Sequence, residues 1–260
     1  MTGQPPDLAF YATPPHECSY LPQHEATTVF ADPNHPKDMR LYSRLSENGF
    51  RRSGEHIYVP ACEKCRACIP VRVPVATFSP RRSQRRINLR NADLRVTVAP
   101  DQFNEAQFQL YRRYVKARHR GGGMDDPSRE EYMSFLTSEW SDTVFYEFRL
   151  QAELLAVAVT DRLENGLSCV YTFFEPAART RSLGVYAILW QIQEAARLGF
   201  EFCYLGYWIE ETPKMQYKAD YLPQEHFLKG RWRLASRQVG ARQLESGASN
   251  GSADLRASAE

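Results

Sequence analysis

Residues 167–209 read LSCVYTFFEPAARTRSLGVYAILWQIQEAARLGFEFCYLGYWI, and the order of patterns along this stretch decides the fold. "LSCVYTFFEP" has the β-branched and aromatic character of a strand, and "AARTRS" is a short basic loop. "LGVYAILWQIQEAARLGF" repeats apolar residues at helical spacing up to a stop signal at Gly199, and "EFCYLGYWI" reads as a buried strand. Upstream, "TVFYEFRL" and "ELLAVAVTDRL" look like paired strands that run into an Asn165-Gly166 turn.

The order strand, strand, strand, loop, helix, strand fits the mixed sheet of the GNAT class of acyltransferases. In that class a helix N-terminus, a natural anion site, holds a phosphate of the donor. Arg179, Arg181 and Gly184 would lie at that mouth, although two arginines and a glycine suit a plain surface loop equally well. Before this region, "HIYVP", "IPVRVPVATF" and "LRVTVAP" suit strands with prolines near their edges. "PDQFNEAQFQLYRRYVKARH" turns helical with Asp101 as its cap. "GGGMDDP" then breaks it, and "PSREEYMSFLTSEW" starts another helix with Asp126 as cap and Pro127 at its first position. The expected fold is α+β: a small cysteine-containing N-terminal domain over 1–95, a GNAT-like mixed-sheet acyltransferase domain over 96–235, and a disordered Ser/Gly/Ala-rich tail over 236–260.

With 260 residues, 43% hydrophobic and 25% charged, the chain is long enough for one large core or two modest ones. No apolar run approaches the roughly 18 residues of a membrane span, and the first residues lack the basic start and apolar core of a secretory signal. The formal net charge of +2 hides an uneven distribution: Arg66 to Arg120 holds thirteen Lys/Arg against three Asp/Glu. Such polarity is the footprint of a polyanion partner, with a solvated face as the bland alternative for any single arginine.

"PACEKCRACIP" places Cys62, Cys65 and Cys68 at every third position, and Cys18 could serve as a fourth ligand. That number suits tetrahedral zinc or an iron–sulfur cluster; reduced structural cysteines in a small domain are the competing reading. Six cysteines so distributed do not make a disulfide framework, which points to a reducing, cytoplasmic setting. Cys169 and Cys203 fall in apolar strands and belong to the core.

Four phrases carry a family resemblance: "CSYLPQHEA", "GFRRSGEHIYVPACEKCRACIPVRVPVATFSPRRSQRR", "RSLGVYAILWQI" and "YLGYWIEETPKMQYKADYLP". Together they resemble the bacterial aminoacyl-tRNA–protein transferases, relatives of the eukaryotic arginyl-tRNA–protein transferases, over roughly Cys18 to Arg233. Within that group the chain is similar to the leucyl-transferring branch. The resemblance implies leucine transfer from leucyl-tRNA to proteins beginning with Asp or Glu, a destabilising mark in the bacterial N-end rule. It implies no membrane and no DNA partner. An arginyl-tRNA–protein transferase and, further off, an acyl-CoA N-acetyltransferase of the same fold are the alternatives. The eukaryotic relatives are associated with a cysteine-bound iron–sulfur cluster, but their cysteine spacing differs from this one.

An aminoacyl-tRNA is an activated ester, so direct attack by an α-amine needs no covalent enzyme intermediate and no cofactor for the chemistry itself. The chain has no convincing nucleophile–His–acid set, in keeping with that route. An acidic acceptor needs a cation, and Lys214, Lys218, Arg72, Arg81 and Arg82 are the candidates. Lys214, Tyr217 and Lys218 of "PKMQYK" are the candidate catalytic group; for the lysines, plain surface placement weighs about as much. Tyr207 and Trp208 either wall the aminoacyl pocket, stack the terminal adenine, or simply pack the core. Arg81, Arg82, Arg85 and Arg86 would follow tRNA phosphates.

Overall fold

The computed structural model describes residues 8–118 and 126–235. The expected tail and the Gly121–Gly123 break lie outside these residues. The chain opens with β1 (Phe10–Ala12), a small ribbon of β2 (His16–Glu17) and β3 (Glu25–Ala26), and β4 (Thr28–Ala31). Helix α1 (Met39–Glu47), β5 (Arg51–Ser53), β6 (His56–Pro60) and β7 (Ile69–Pro74) follow. Then come α2 (Arg82–Arg90), β8 (Arg95–Ala99), α3 (Glu105–Arg118) and α4 (Arg129–Leu136). The strands β9 (Asp142–Leu150), β10 (Glu153–Arg162) and β11 (Gly166–Phe174) lead to α5 (Leu183–Arg197), β12 (Phe202–Trp208), β13 (Glu225–Leu228) and β14 (Arg231–Leu234).

Two sheets matter. The smaller has the order β1-β4-β6-β5; the larger runs β14-β13-β7-β12-β11-β10-β9-β8. Every neighbouring pair of the larger sheet is antiparallel except β11 and β12, whose connection through α5 makes them parallel. The strand–loop–helix–strand order read from residues 167–209 is therefore the order found, and it gives a mixed α/β sheet. Strand β7, from the segment that holds the cysteines, sits inside this sheet between β13 and β12.

The central strands are apolar on both faces because both are covered. Phe145, Val157, Val159 and Phe173 pack under Phe108, Leu110, Tyr111 and Tyr114 of α3. Their alternating neighbours Val144, Tyr146, Ala156 and Ala158 pack against Leu183, Tyr186 and Ala187 of α5. Two local expectations need correction. Helix α3 begins at Glu105, with the Asn104 side chain accepting from the Gln107 amide at 3.2 Å, so Asp101 is not its cap. Helix α4 is capped by Ser128, which exchanges bonds with Glu131 in a capping box, so Asp126 and Pro127 lie ahead of it. Helices α1 and α2 were not expected. Arginine-rich α2 shows almost no apolar periodicity in sequence, and only Gln84 is buried.

The smaller sheet and α1 dock on the large sheet where Leu41, Tyr42, Leu45 and Ile57 meet Leu163 and Tyr204. The dock is fastened by an ion pair with no solvent exposure. Arg52 Nε and Nη2 each donate to Asp161 at 2.6 Å, and Tyr42 and Thr143 hydroxyls donate to the same carboxylate at 3.0 and 2.7 Å. Removing one partner of a buried pair strands the other charge. Asp161→Ala should therefore lower unfolding stability by about 3–5 kcal/mol in urea titrations, whereas replacing both residues, Arg52→Met with Asp161→Leu, should recover most of that loss. A loss below about 1 kcal/mol for Asp161→Ala would place the pair in the class of exposed salt bridges.

Candidate active site

Strands β11 and β12 pair only over Gly166–Ser168 with Phe202–Tyr204, then part. β11 continues to Phe174 and β12 to Trp208, so their C-terminal halves form the walls of a split in the sheet. Each wall carries an irregularity at the same level. The β10–β11 register slips at Val159/Thr160, leaving Val170 as the extra residue, and the β12–β7 register slips between Tyr204 and Gly206. A split sheet exposes ladder groups that must find other partners.

Two cations supply them. Arg51, on β5 and half-buried, donates through Nη2 to the carbonyls of Cys169 at 2.7 Å and Val170 at 3.3 Å. Buried Lys218, on the short 3₁₀ turn Gln216–Asp220, donates through Nζ to the Tyr207 carbonyl at 2.6 Å. Gly206 makes room for the first cation. Its φ is +78°, and a Cβ there would strike the Arg51 guanidinium. The turn bearing Lys218 is held from α2: Arg81 pairs with Asp220 at 2.6 Å, and the Gln84 amide donates to the Asp220 carbonyl at 3.1 Å.

Burial, then the positive charge of Arg51, pulls the Lys218 ammonium down to a pKa of about 7. Arg51 cannot shed its proton, so charge is left on the arginine and the lysine exchanges protons near neutrality. Such a pairing in a cleft marks a functional-site candidate and supplies a base matched to an α-amine, whose ordinary pKa is about 7.7–8.0.

The other expected site residues are scattered. Lys214 and Tyr217 are exposed on the same turn region as Lys218. Tyr207 is 2% exposed, with its hydroxyl 3.1 Å from the Gly49 and Tyr58 carbonyls, and it stands at the split with Arg51 and Lys218. Trp208 is also buried and lies against His226, ring centroids 5.3 Å apart; among the described residues neither the Trp208 Nε1 nor the His226 Nε2 has a partner. Arg72 is engaged elsewhere. It pairs with Glu225 at 2.7 Å and lies over the Phe202 and Trp232 rings at 3.5 and 4.3 Å, so its charge is already compensated. Arg82, Arg85 and Arg86 are exposed on α2, and among the described residues none has a carboxylate partner. Arg179 is exposed, whereas Arg181 makes a two-pronged pair with Asp93 at 2.9 Å on each arm. Gly184 lies on the first turn of α5, where a Cβ would press on the Phe174 ring at 3.0 Å. Arg51 had no signal of its own in the sequence beyond its place in the "GFRRSGEH" phrase.

Cys18, Cys62, Cys65 and Cys68 come near one another. Burial, then the neighbouring Cys18, Cys62 and Cys65, pushes the Cys68 thiol up to about 12. Cys18 Sγ accepts from the Leu21 amide at 3.4 Å, and Arg66 caps the Cys62 and Cys65 carbonyls. Among the described residues, no three His, Cys, Asp or Glu side chains are disposed to hold a metal ion. No described helix is long and apolar enough to cross a membrane.

Known proteins are similar to this chain over most of its length. Residues 16–86 match the family model "Arginine-tRNA-protein transferase, N terminus", and residues 106–228 match "Arginine-tRNA-protein transferase, C terminus". The chain is 56% identical over 225 residues to proteins named aspartate/glutamate leucyltransferase from Pseudomonas fluorescens (strain Pf0-1) and Pseudomonas aeruginosa (strain LESB58), covering 86% of this chain and 96% of each relative. Among solved structures, L-PGS from Bacillus licheniformis aligns over 65% of this chain and 58% of its own at 14% identity and a TM-score of 0.44.

The Lys218 environment has a measurable consequence. Its folded-state pKa of about 7 lies below the unfolded value near 10.4, so between these limits the unfolded chain binds more protons. Stability should therefore rise with pH from about 7 towards 10 on this account, and the rise should be missing in Lys218→Met. Urea midpoints of both proteins at pH 7 and pH 9.5 check this; equal pH slopes would mean an ordinary, solvated lysine.

Proposed function

The chain belongs to the arginine-tRNA-protein transferase family and is an aminoacyltransferase, and from that premise we propose that it moves leucine from leucyl-tRNA to the α-amine of proteins beginning with Asp or Glu. The observation that carries this reading is the 56% identity, over nearly their whole length, to proteins named for that transfer. Leucine rather than arginine is the donor group on the same ground. The large sheet with its parting β11 and β12 is read as GNAT-like, and the cysteine-bearing first segment as a distinct module that presents β5 to it. The product carries a destabilising N-terminus and enters N-end-rule degradation; a reaction that consumes charged tRNA belongs to the cytoplasm.

The chain's residues suit direct aminolysis. The acceptor amine enters the split as its neutral form, with neutral Lys218 taking the proton it sheds. The amine nitrogen bonds to the leucyl carbonyl carbon, the ester C–O bond breaks, and the ribose oxygen leaves with the proton that Lys218 took from the amine, which returns Lys218 to its neutral form. The exposed arginines of α2 neutralise phosphates of the donor RNA, an interaction that carries no base sequence information.

Purified protein should transfer radiolabelled leucine from charged tRNA to an Asp-led or Glu-led peptide. Transfer of arginine in place of leucine would move it to the arginyl branch. Replacing Arg82, Arg85 and Arg86 together by Ala should raise the KM for leucyl-tRNA and lower its salt slope by roughly 0.9 for each phosphate no longer neutralised; an unchanged slope would remove α2 from the RNA surface.

A further inference from the structure

Arg51 is charged, half-buried and lacks a counter-ion. Among the described residues no carboxylate lies within ion-pair distance of it. Its Nη2 is committed to the Cys169 and Val170 carbonyls, but among the described residues Nε and Nη1 have no hydrogen-bond partner, and neither is fully shut off from solvent. Burial opposes its charge most strongly, and the groups that favour it are the hydroxyls of Tyr58, Tyr42, Tyr207 and Tyr20 rather than any carboxylate. The contrast with its neighbours is sharp: Arg52 and Arg72 each meet a carboxylate. A half-buried guanidinium with two unused nitrogens and an aromatic surround is costly unless an anion arrives.

We propose that Arg51 is the receptor for the side-chain carboxylate of the acceptor's first residue, and so sets the preference for Asp and Glu over their amides. The proposal rests on the leucyl-transfer reading and assigns that reading's specificity to a single group. The pairing of cations at the split matches the chemistry of such an acceptor. An N-terminal Asp or Glu presents an amine and a carboxylate a few bonds apart. The split offers Lys218, able to take a proton from the amine, next to Arg51, a permanent cation for the carboxylate. The free Nε and Nη1 can each donate a charge-assisted bond to a carboxylate oxygen, whereas an amide side chain brings no charge and turns one of its two heavy atoms, a donor, towards donors. Gly206 is what lets the guanidinium come this close to the β12 backbone.

The test measures kcat and KM of the full chain with leucyl-tRNA and matched peptides that begin with Asp or Asn, for the wild type, Arg51→Met and Arg51→Lys. The KM for the Asp peptide should rise roughly 10- to 150-fold in Arg51→Met, the range for a hydrogen bond to a charged group. The Asn peptide should change far less, so discrimination between the two collapses, and Arg51→Lys should restore part of it. An Asp/Asn ratio that survives in Arg51→Met, with both peptides slowed alike, would overturn the proposal and leave leucyl transfer standing. Wild-type protein inert towards both peptides would instead sink the leucyl-transfer reading. Arg51 also holds β11 carbonyls, so Arg51→Met can fail to fold; a crystal structure of the wild type with the Asp-led peptide then decides. A carboxylate within hydrogen-bond distance of the Arg51 guanidinium supports the assignment, and a carboxylate bound elsewhere ends it.

Discussion

The sealed pair of Arg52 and Asp161 is the constraint on which the site depends. A charge with no solvent exposure tolerates little movement, because any slip of β5 along the sheet would separate the guanidinium from its carboxylate in a low-dielectric setting. Tyr42 of α1 and Thr143 of β9 converge on the same carboxylate, so three elements share one anchor. Side chains alternate along a strand, so pinning Arg52 also determines where Arg51 goes. It is delivered to the parted strands, where it reaches carbonyls 118 and 119 residues away in the chain.

The split itself is an exchange of one kind of hydrogen bond for another. An intact ladder between β11 and β12 would pair their facing backbone groups with each other and leave no room for a reactant. Opening the strands places the Cys169, Val170 and Tyr207 carbonyls under cationic side chains instead. The irregularities on both walls let each strand bend away while keeping its outer partner. The choice of cations is not interchangeable. Arginine stays charged and fixes the field; lysine under that field becomes a base near neutrality, which a second arginine could never be.

Much of the large sheet was legible from the sequence, because β9 to β12 are bounded by turn signals and dense in β-branched and aromatic residues. The helix between them carries a strong apolar face. The site was legible only in part. Lys218 and Tyr207 stand in it, and both were within a quoted phrase, but nothing local told buried Lys218 from exposed Lys214, four residues earlier. Arg72 had the look of a substrate cation, but Glu225, which neutralises it, is 153 positions away. Arg51 and Arg52 are adjacent and identical in type, and their opposite fates depend on Asp161 and on a bulge in β11. A pattern of residue types along one strand carries no such information.

The arginine run that first suggested an RNA surface faces two ways. Arg82, Arg85 and Arg86 look outward from α2, while Arg81 and Gln84 at its start grip Asp220, two residues from Lys218. Because α2 is a single short helix packed on α5, the arginines on its outer side and the Lys218 turn gripped at its start are borne by one rigid body. A donor RNA docked on that surface would therefore be located relative to Lys218 by the helix itself, with no loop in between to blur the distance. That economy explains why so basic a helix, with little apolar surface of its own, is retained against the sheet: what holds it there is the polar grip on the turn as much as packing.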